Sequence, residues 1–229
     1  MRLIALETAS EQCSAALYLD GEIHCVRERA ARRHGELILG QIEHLLREAD
    51  VPRSSLDGVA VGRGPGAFTG VRLGLGVAQG IAFALDRPVV PVSTLQALAQ
   101  QALRDPDTRP DAVLAALDAR MGEVYWGLYP VIGRRVQAAP EQVSPPAAVA
   151  AVWPGADRYG LGSGFAAWPE LGSQLGLAPE RVAARSLPDA REVALLAVDA
   201  WERGEAVGPE DAQPVYLRDD VARPPGPVA

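Results

Sequence analysis

The stretch Gly62–Gly70 places four glycines and a proline between an apolar strand-like segment and a long apolar helix-like segment. Glycine-rich turns that lead from a strand into a helix often bind phosphate, because a ligand can approach the backbone and the helix N-terminus attracts anions. The P-loop also needs a lysine, and all 22 basic residues of this chain are arginine. Pro65 and Phe68 stiffen and fill the space that a pyrophosphate needs. The stretch therefore indicates a closely packed turn and not a nucleotide cradle.

The segment that follows, Thr69–Leu85, has helical character but contains four glycines, Gly70, Gly74, Gly76 and Gly80. Glycines inside a helix cost about 3–4 kcal/mol in total relative to alanine, so close packing must offset them. The helix is apolar almost all round, which is typical of an element buried on two sides. One side is expected to pack on a sheet. The other packs on a helix of this chain alone or on one from another chain.

The net charge, the two cysteines and the hydrophobic pattern of the chain exclude some classes of function. The chain has 229 residues and a net charge of -7, which argues against a protein that wraps nucleic acid by itself. Asp20-Gly21 resembles a two-residue hairpin turn, which would place Cys25 opposite Ala16 and Cys13 opposite Glu28. A disulfide is then not expected. We see neither a signal peptide nor a membrane-spanning segment, and we expect a cytoplasmic protein.

The chain reads as one α/β layered unit in which three strands of meander precede alternating helices and strands. A Pro- and Asp-containing segment at 105–110 predicts a boundary between an N-terminal lobe, 1–104, and a C-terminal lobe, 111–218, with a disordered tail at 219–229. The predicted strands are Arg2–Thr8, Cys13–Leu19, Glu22–Arg29, Leu56–Val61, Pro88–Val92, Ala112–Asp118, Val124–Tyr129 and Tyr159–Phe165. The predicted helices are Arg33–Ala49, Thr69–Leu85, Leu95–Arg104, Ala147–Val152 and Asp189–Arg203.

One candidate ligand site lies at the end of the first strand, at Glu7, Thr8 and Ser10. Actin- and hexokinase-like folds place their first phosphate loop there, with the pattern Asp-x-Gly-Thr. Here Glu7 stands in place of the aspartate and Ala9 occupies the loop without a glycine nearby. The residues are interpreted as a degenerate phosphate loop or simply as a capped strand end.

Neither a metal site nor a catalytic residue is predicted. His34 and His44 are ten residues apart, or about 15 Å along a helix, which is too far for a shared metal. Cys13 and Cys25 have no histidine at a motif spacing, so thiol catalysis is not expected. No cofactor is predicted either.

Six stretches together resemble one known family, the bacterial TsaB family, also called YeaZ. The likeness preserves order and spacing over nearly the whole chain, and the Gly-Pro-Gly-x-Phe-Thr-Gly element is its most specific part. The six stretches are residues 3–10, 33–39, 64–74, 91–95, 117–125 and 216–218.

The resemblance implies an actin-like ATPase superfamily fold with two related lobes. It also implies a part in making threonylcarbamoyladenosine at position 37 of tRNAs that read codons beginning with A. In that family the transfer belongs to the paralogue TsaD, whose metal is held by a His-x-x-x-His pair. The corresponding stretch here, Ser93–Leu98, contains no histidine. The expected role is therefore a non-catalytic scaffold and activator.

Such a subunit is expected to dock to TsaD through its first two helices, with the ATPase TsaE joining the pair and tRNA reached through the complex. Alone, the same surface could form a homodimer. A nucleotide-binding or hydrolysing enzyme of the actin and sugar-kinase superfamily is the alternative. A metallopeptidase, suggested by an older name of these relatives, lacks a visible ligand set. The expected docking residues are Leu37, Gln41, Leu45, Leu46, Phe68, Arg72, Gly74 and Leu75.

Overall fold

The computed structural model describes residues 1–29, 32–150, 153 and 155–218. Its first half contains β1 Arg2–Glu7, β2 Gln12–Leu19, β3 Glu22–Arg29, α1 His34–Glu48, β4 Gly58–Gly62, α2 Phe68–Leu85, β5 Val89–Val92 and α3 Thr94–Gln100. Its second half contains β6 Ala112–Arg120, β7 Glu123–Ile132, β8 Arg135–Val136, β9 Glu141–Ser144, β10 Arg158–Leu161, α4 Ser163–Ala167, α5 Glu170–Gln174, β11 Val182–Ala183 and α6 Ala190–Glu202.

The two halves repeat one sheet topology. In the first sheet the strand order is β3-β2-β1-β4-β5, with antiparallel pairs on one side of β1 and parallel pairs on the other. In the second sheet β9, β7, β6, β10 and β11 follow the same order and the same directions. The short β8 is an addition that pairs with the far end of β7. The two lobes are therefore related.

The hairpin between β2 and β3 has the register expected from its turn. Asp20 and Gly21 have φ values of 45° and 109°, the left-handed conformations that a tight hairpin turn requires. The register places Ala16 opposite Cys25 and Glu28 opposite Cys13. Both cysteines are free thiols.

Two helices, α3 and α6, lie in a layer between the sheets. Helix α6 packs against β1 and β2, α3 packs against β6 and β7, and the two helices contact each other. The same apolar cluster contains Leu3 of β1, Leu98 of α3, Val113 of β6 and Val193 of α6. Helix α6 thus belongs by sequence to the predicted C-terminal lobe but covers the sheet of the N-terminal lobe.

Three local predictions differ from the structure. The predicted strand Tyr159–Phe165 ends at Leu161, because Gly162 adopts a φ of 117° and the chain turns into α4. A β-carbon at Gly162 would lie 2.2 Å from the Ala116 carbonyl oxygen, so the chain passes too close to β6 for a strand to continue. The predicted helix at 147–152 is only a 3₁₀ turn, Pro146–Ala148, in its described part. The third helix is shorter than predicted: α3 ends at Gln100 and a 3₁₀ turn continues to Leu103. The predicted tail 219–229 lies outside the described residues.

Candidate functional site

The carboxyl group of Glu7 at the end of β1 is fully buried. Its Oε1 accepts a hydrogen bond of 2.7 Å from the Ala9 amide, and its Oε2 accepts one of 3.0 Å from the Thr94 hydroxyl. A β-carbon at Gly62 would lie 2.0 Å from Oε2, so only glycine fits beside it. Burial raises the pKa of Glu7 to about 7. Both oxygens are therefore occupied by protein donors.

The backbone after Glu7 is covered by the start of α2. The Thr8 hydroxyl donates to the Gly70 carbonyl at 2.7 Å, and the Ala67 amide donates to the Ala9 carbonyl at 2.7 Å. A β-carbon at Gly70 would lie 2.1 Å from the Thr8 carbonyl oxygen. The glycines of this turn thus let the helix lie directly on the loop. The loop is therefore covered by its own chain.

The opposite side of α2 faces solvent. Gly76 and Gly80 are exposed, and a β-carbon at either position would meet no atom of the described residues within 4 Å. The Phe83 ring is 81% exposed at the C-terminal end of the helix. Leu39 of the neighbouring helix α1 is 53% exposed. We call these four residues the outer face.

Helices α1 and α2 are neighbours. A β-carbon at Gly35 of α1 would lie 3.7 Å from the Leu73 side chain of α2. The two helices can therefore contribute to one surface.

An aromatic cluster borders the outer face at the N-terminal end of α2. The rings of Phe68 and Tyr216 lie with their centroids 5.6 Å apart, and the Arg72 guanidinium lies 3.9 Å from the Phe68 centroid. Arg72 Nε also donates to the Tyr216 hydroxyl at 2.7 Å. Phe68 is 48% and Tyr216 43% exposed, so the cluster is accessible. A groove of about 350 Å³ runs between α2 and the segment 212–216.

A second cavity, of about 250 Å³, lies in the cleft between the two lobes. Arg63 and Ser93 line it from the first lobe, and Tyr129 and Glu141 line it from the second. The hydroxyls of Ser93 and Tyr129 both donate to Oε1 of Glu141, the latter at 2.8 Å. Burial and the nearby carboxylate raise the pKa of Tyr129 above its ordinary value. The Tyr129 hydroxyl therefore stays protonated as a donor.

Comparisons with known proteins find a TsaD family model over part of the chain and TsaB relatives over nearly all of it. Residues 25–159 match the family model "TsaD: tRNA N6-adenosine threonylcarbamoyltransferase". The chain is also 39% identical to the tRNA threonylcarbamoyladenosine biosynthesis protein TsaB of Escherichia coli K12, in an alignment that covers 97% of this chain and 96% of the relative. The TsaB protein of Haemophilus influenzae is 34% identical over 96% of this chain and 95% of the relative. The chain belongs to the TsaB family.

Solved structures agree with this membership. YeaZ from Pseudomonas aeruginosa is 45% identical, with a TM-score of 0.86, covering 94% of this chain and 99% of that one. A further structure is described as an uncharacterized protein with similarity to peptidase YeaZ from the same organism. It is 44% identical with a TM-score of 0.87, covering 95% of this chain and 99% of that one. The predicted α/β fold with two related lobes is confirmed.

Within this TsaB-family chain, the expected docking residues separate into two groups. Leu45, Leu46 and Leu75 are at most 5% exposed, and Gly74 is buried against Thr8, so these four face the core of their own chain. Their helical spacing is that of the apolar stripe that packs on the first sheet, and spacing alone does not separate such a stripe from a docking surface.

The remaining expected docking residues are accessible to different degrees. Phe68 and Arg72 are exposed, whereas Leu37 and Gln41 are half-buried. The Gln41 amide donates to the Cys13 carbonyl at 3.3 Å, which ties it to β2. The expected docking residues do not include Leu39, Gly76, Gly80 and Phe83, which the structure leaves exposed. Their signal was an apolar or glycine residue on the side of an amphipathic helix where polar residues are expected.

The described residues contain no group of three or more histidine, cysteine, aspartate or glutamate side chains placed to hold a metal ion. Burial raises the pKa of Cys13 to about 11 and that of Cys25 to about 12, so both are thiols at neutral pH. Of the expected loop residues, Thr8 is buried with Glu7, and only Ser10 is partly exposed. Its carbonyl lies 2.9 Å from His34 Nε2.

By length and mean hydropathy, 1.4 over 18 residues, α2 would be long and apolar enough to cross a membrane. Its buried side packs on β1 and β4 of the first sheet, and the core helix of a layered fold passes the same test. The absence of a membrane partner remains a prediction.

Proposed function

We propose that this chain is a non-catalytic scaffold and activator subunit that acts with TsaD in the threonylcarbamoylation of adenosine 37 in tRNAs reading ANN codons. The observation that carries the proposal is that the two sides of α2 have different surroundings. One side of the helix seals the loop at which an actin-like enzyme would bind phosphate, and the other presents an apolar surface to solvent. The names of the TsaB relatives supply the pathway.

The sealed loop supports the absence of chemistry. A phosphate-binding loop must offer free backbone amides to an anion. Here the Ala9 amide is bound to Glu7, and the Ala9 carbonyl is bound to the Ala67 amide. The carboxyl group of Glu7 is also directed inward, where it cannot orient a metal-bound water.

The outer face supports docking to TsaD. The TsaD family model matches residues 25–159, which include both α1 and α2, so the paralogue shares this helix pair. Two such pairs can pack as a four-helix arrangement. Gly76 and Gly80 would let the helix backbones approach closely, and burial of Leu39 and Phe83 contributes at about 25 cal/mol per Å² before association costs. An isolated chain could use the same surface for a homodimer.

The remaining parts of the proposal follow from this arrangement. TsaE would join the pair as its ATPase, tRNA would be reached through the complex, and the site of action would be the cytoplasm. The net charge of -7 is consistent with a subunit that leaves the main contact with RNA to a partner.

The decisive experiment is tRNA modification measured by mass spectrometry with purified partners, with and without this chain. We expect modification to depend on the chain. For the surface, Phe83→Arg is compared with Ile132→Arg, which places the same charge on an exposed apolar side chain of the second lobe. Phe83→Arg should weaken TsaD binding at least about tenfold in calorimetry, because a charge cannot enter an apolar helix interface without an energetic penalty. Equal affinities for the two variants would contradict the docking surface.

A nucleotide-binding enzyme is the second candidate, and the interlobe cavity is the observation that favours it. Calorimetry of the isolated chain with Mg-ATP distinguishes the two. We expect no heat of binding. Micromolar binding with turnover would favour the enzyme.

A further inference from the structure

The last described segment, residues 212–218, crosses the molecule from one lobe to the other without forming a helix or strand. We call it the C-terminal strap. It begins beside α2, where the Gln79 side-chain amide donates to the Ala212 carbonyl at 3.1 Å. It ends at the turn between β6 and β7, where Arg218 is bound. The strap therefore touches both lobes.

Its first-lobe contact is the aromatic cluster beside the outer face. Tyr216 stacks on Phe68 and accepts the hydrogen bond from Arg72, and both rings are nearly half exposed. Anything that covers or displaces Phe68 must also meet Tyr216.

The middle of the strap closes over the interlobe cleft. The Val215 amide donates to the Arg63 carbonyl at 2.9 Å, and the Val215 carbonyl lies so close to Gly64 that a β-carbon there would be 3.0 Å from it. Val215 and Leu217 both line the cleft cavity. This part of the strap has little room to move sideways.

Its second-lobe contact is an ion pair at the turn between β6 and β7. Arg218 Nε lies 3.1 Å from Glu123 Oε2, and Arg218 Nη2 donates to the Ala119 carbonyl at 3.2 Å. The Arg218 side chain is only 16% exposed. The turn it holds contains two non-glycine residues in the left-handed region, Arg120 at φ 60° and Met121 at φ 55°. Such backbone is retained only where its surroundings impose it.

Only one residue separates Tyr216 from Arg218. Two residues of extended chain span at most about 7 Å, so the strap has almost no slack between its two anchors. We propose that the C-terminal strap couples the aromatic cluster on α2 to the β6–β7 turn, so that displacement of Tyr216 loosens the turn on the other side of the cleft. A displacement of the aromatic cluster beside the outer face of the first lobe would thus change the β6–β7 turn of the second lobe.

Amide hydrogen exchange of the full chain, read at residues 118–124, tests this coupling. Arg218→Met removes the direct contact and should raise exchange at the turn about tenfold, since charge-assisted hydrogen bonds are the strong ones. Tyr216→Ala should raise exchange at the same amides about threefold or more, although Tyr216 makes no hydrogen bond to the turn in the described structure. In the double variant the two effects should not add, because both act through one strap.

Phe83→Ala is the matched control, since this exposed ring lies on the same helix about 22 Å along the axis from Phe68. It should leave the turn at the wild-type rate. The proposal is overturned if Tyr216→Ala changes exchange only on α2, or if Phe83→Ala changes the turn equally. Because the measurement needs no partner, its outcome does not depend on whether TsaD binds the outer face.

Discussion

The four glycines inside α2 form two pairs that should respond in opposite directions to the same substitution. Gly70 and Gly74 face Thr8, the residue that follows β1, whereas Gly76 and Gly80 face solvent. Replacing each in turn by alanine therefore separates close packing from intrinsic helix propensity on a single helix.

For the solvent-facing pair we expect stabilisation. Alanine is favoured over glycine in a helix interior by about 0.8–1 kcal/mol, and in the part of the chain that the structure describes no atom lies within 4 Å of a β-carbon at Gly76 or Gly80. A gain of about 1 kcal/mol raises the melting temperature of a chain of this size by about 2–4 °C. Thermal and urea unfolding should both show the gain for each single variant.

For the sheet-facing pair we expect the reverse. A β-carbon at Gly70 would lie 2.1 Å from the Thr8 carbonyl oxygen, and one at Gly74 would lie 2.5 Å from the Thr8 hydroxyl. Relief of the first contact requires a backbone shift, and relief of the second breaks the buried hydrogen bond from Thr8 to Gly70. Each variant should lose about 1–3 kcal/mol in spite of the better helix propensity.

The assay is urea denaturation of the wild type and the four single alanine variants under one set of conditions. The reasoning is refuted if Gly70→Ala or Gly74→Ala is as stable as Gly76→Ala. It is also refuted if all four variants lose stability, because the outward positions would then be packed against something.

Three further outcomes follow from the buried polar groups. Burial raises the pKa of Glu7 to about 7, so its contribution to the free energy of unfolding is complete below pH 4.5 and is lost as the pH rises toward 7. Glu7→Gln should remove up to about 3 kcal/mol of that pH dependence in unfolding titrations. An unchanged dependence of the unfolding free energy on pH would contradict the burial argument. Arg104→Met leaves the almost fully buried carboxylate of Glu192 without its arginine partner and removes one of the two arginines that pair with buried Asp189, so it should cost about 3–5 kcal/mol, against at most about 1 kcal/mol for the exposed pair lost in Arg203→Met. Cys13 and Cys25 should react with a thiol reagent at pH 8 much more slowly in the native chain than in urea, and rapid native labelling would argue against their raised pKa values.

The sequence predicted the elements whose signals are local. The β2–β3 hairpin followed from Asp20-Gly21. The cost of the glycines in α2 predicted close packing, which the structure shows at Gly70 and Gly74 but not at the exposed Gly76 and Gly80. The short strands β8, β9 and β11 were not predicted, because two residues of strand give no periodic pattern in β8 and β11, and β9 is mostly polar. Their pairing is set by the neighbouring strands.

The candidate surface was predicted only in outline. Helical spacing located the correct helices, but an apolar stripe does not state whether it packs on its own sheet or on another chain. The side chains of Leu45 and Leu75 are buried in their own chain, whereas Phe68 is exposed. The contact between Tyr216 and Phe68 joins residues 148 positions apart, so no local sequence pattern could predict it.

The crossing of α6 to the first sheet has a consequence for synthesis on the ribosome. After about residue 104 has emerged, every strand of the first sheet has been made, yet one of its apolar faces still lacks the helix that covers it. That helix arrives only with Ala190–Glu202, roughly a hundred residues later, or several seconds at ordinary elongation rates. The nascent N-terminal half must therefore keep this uncovered apolar face of the first sheet from contacting other nascent chains until translation is nearly complete.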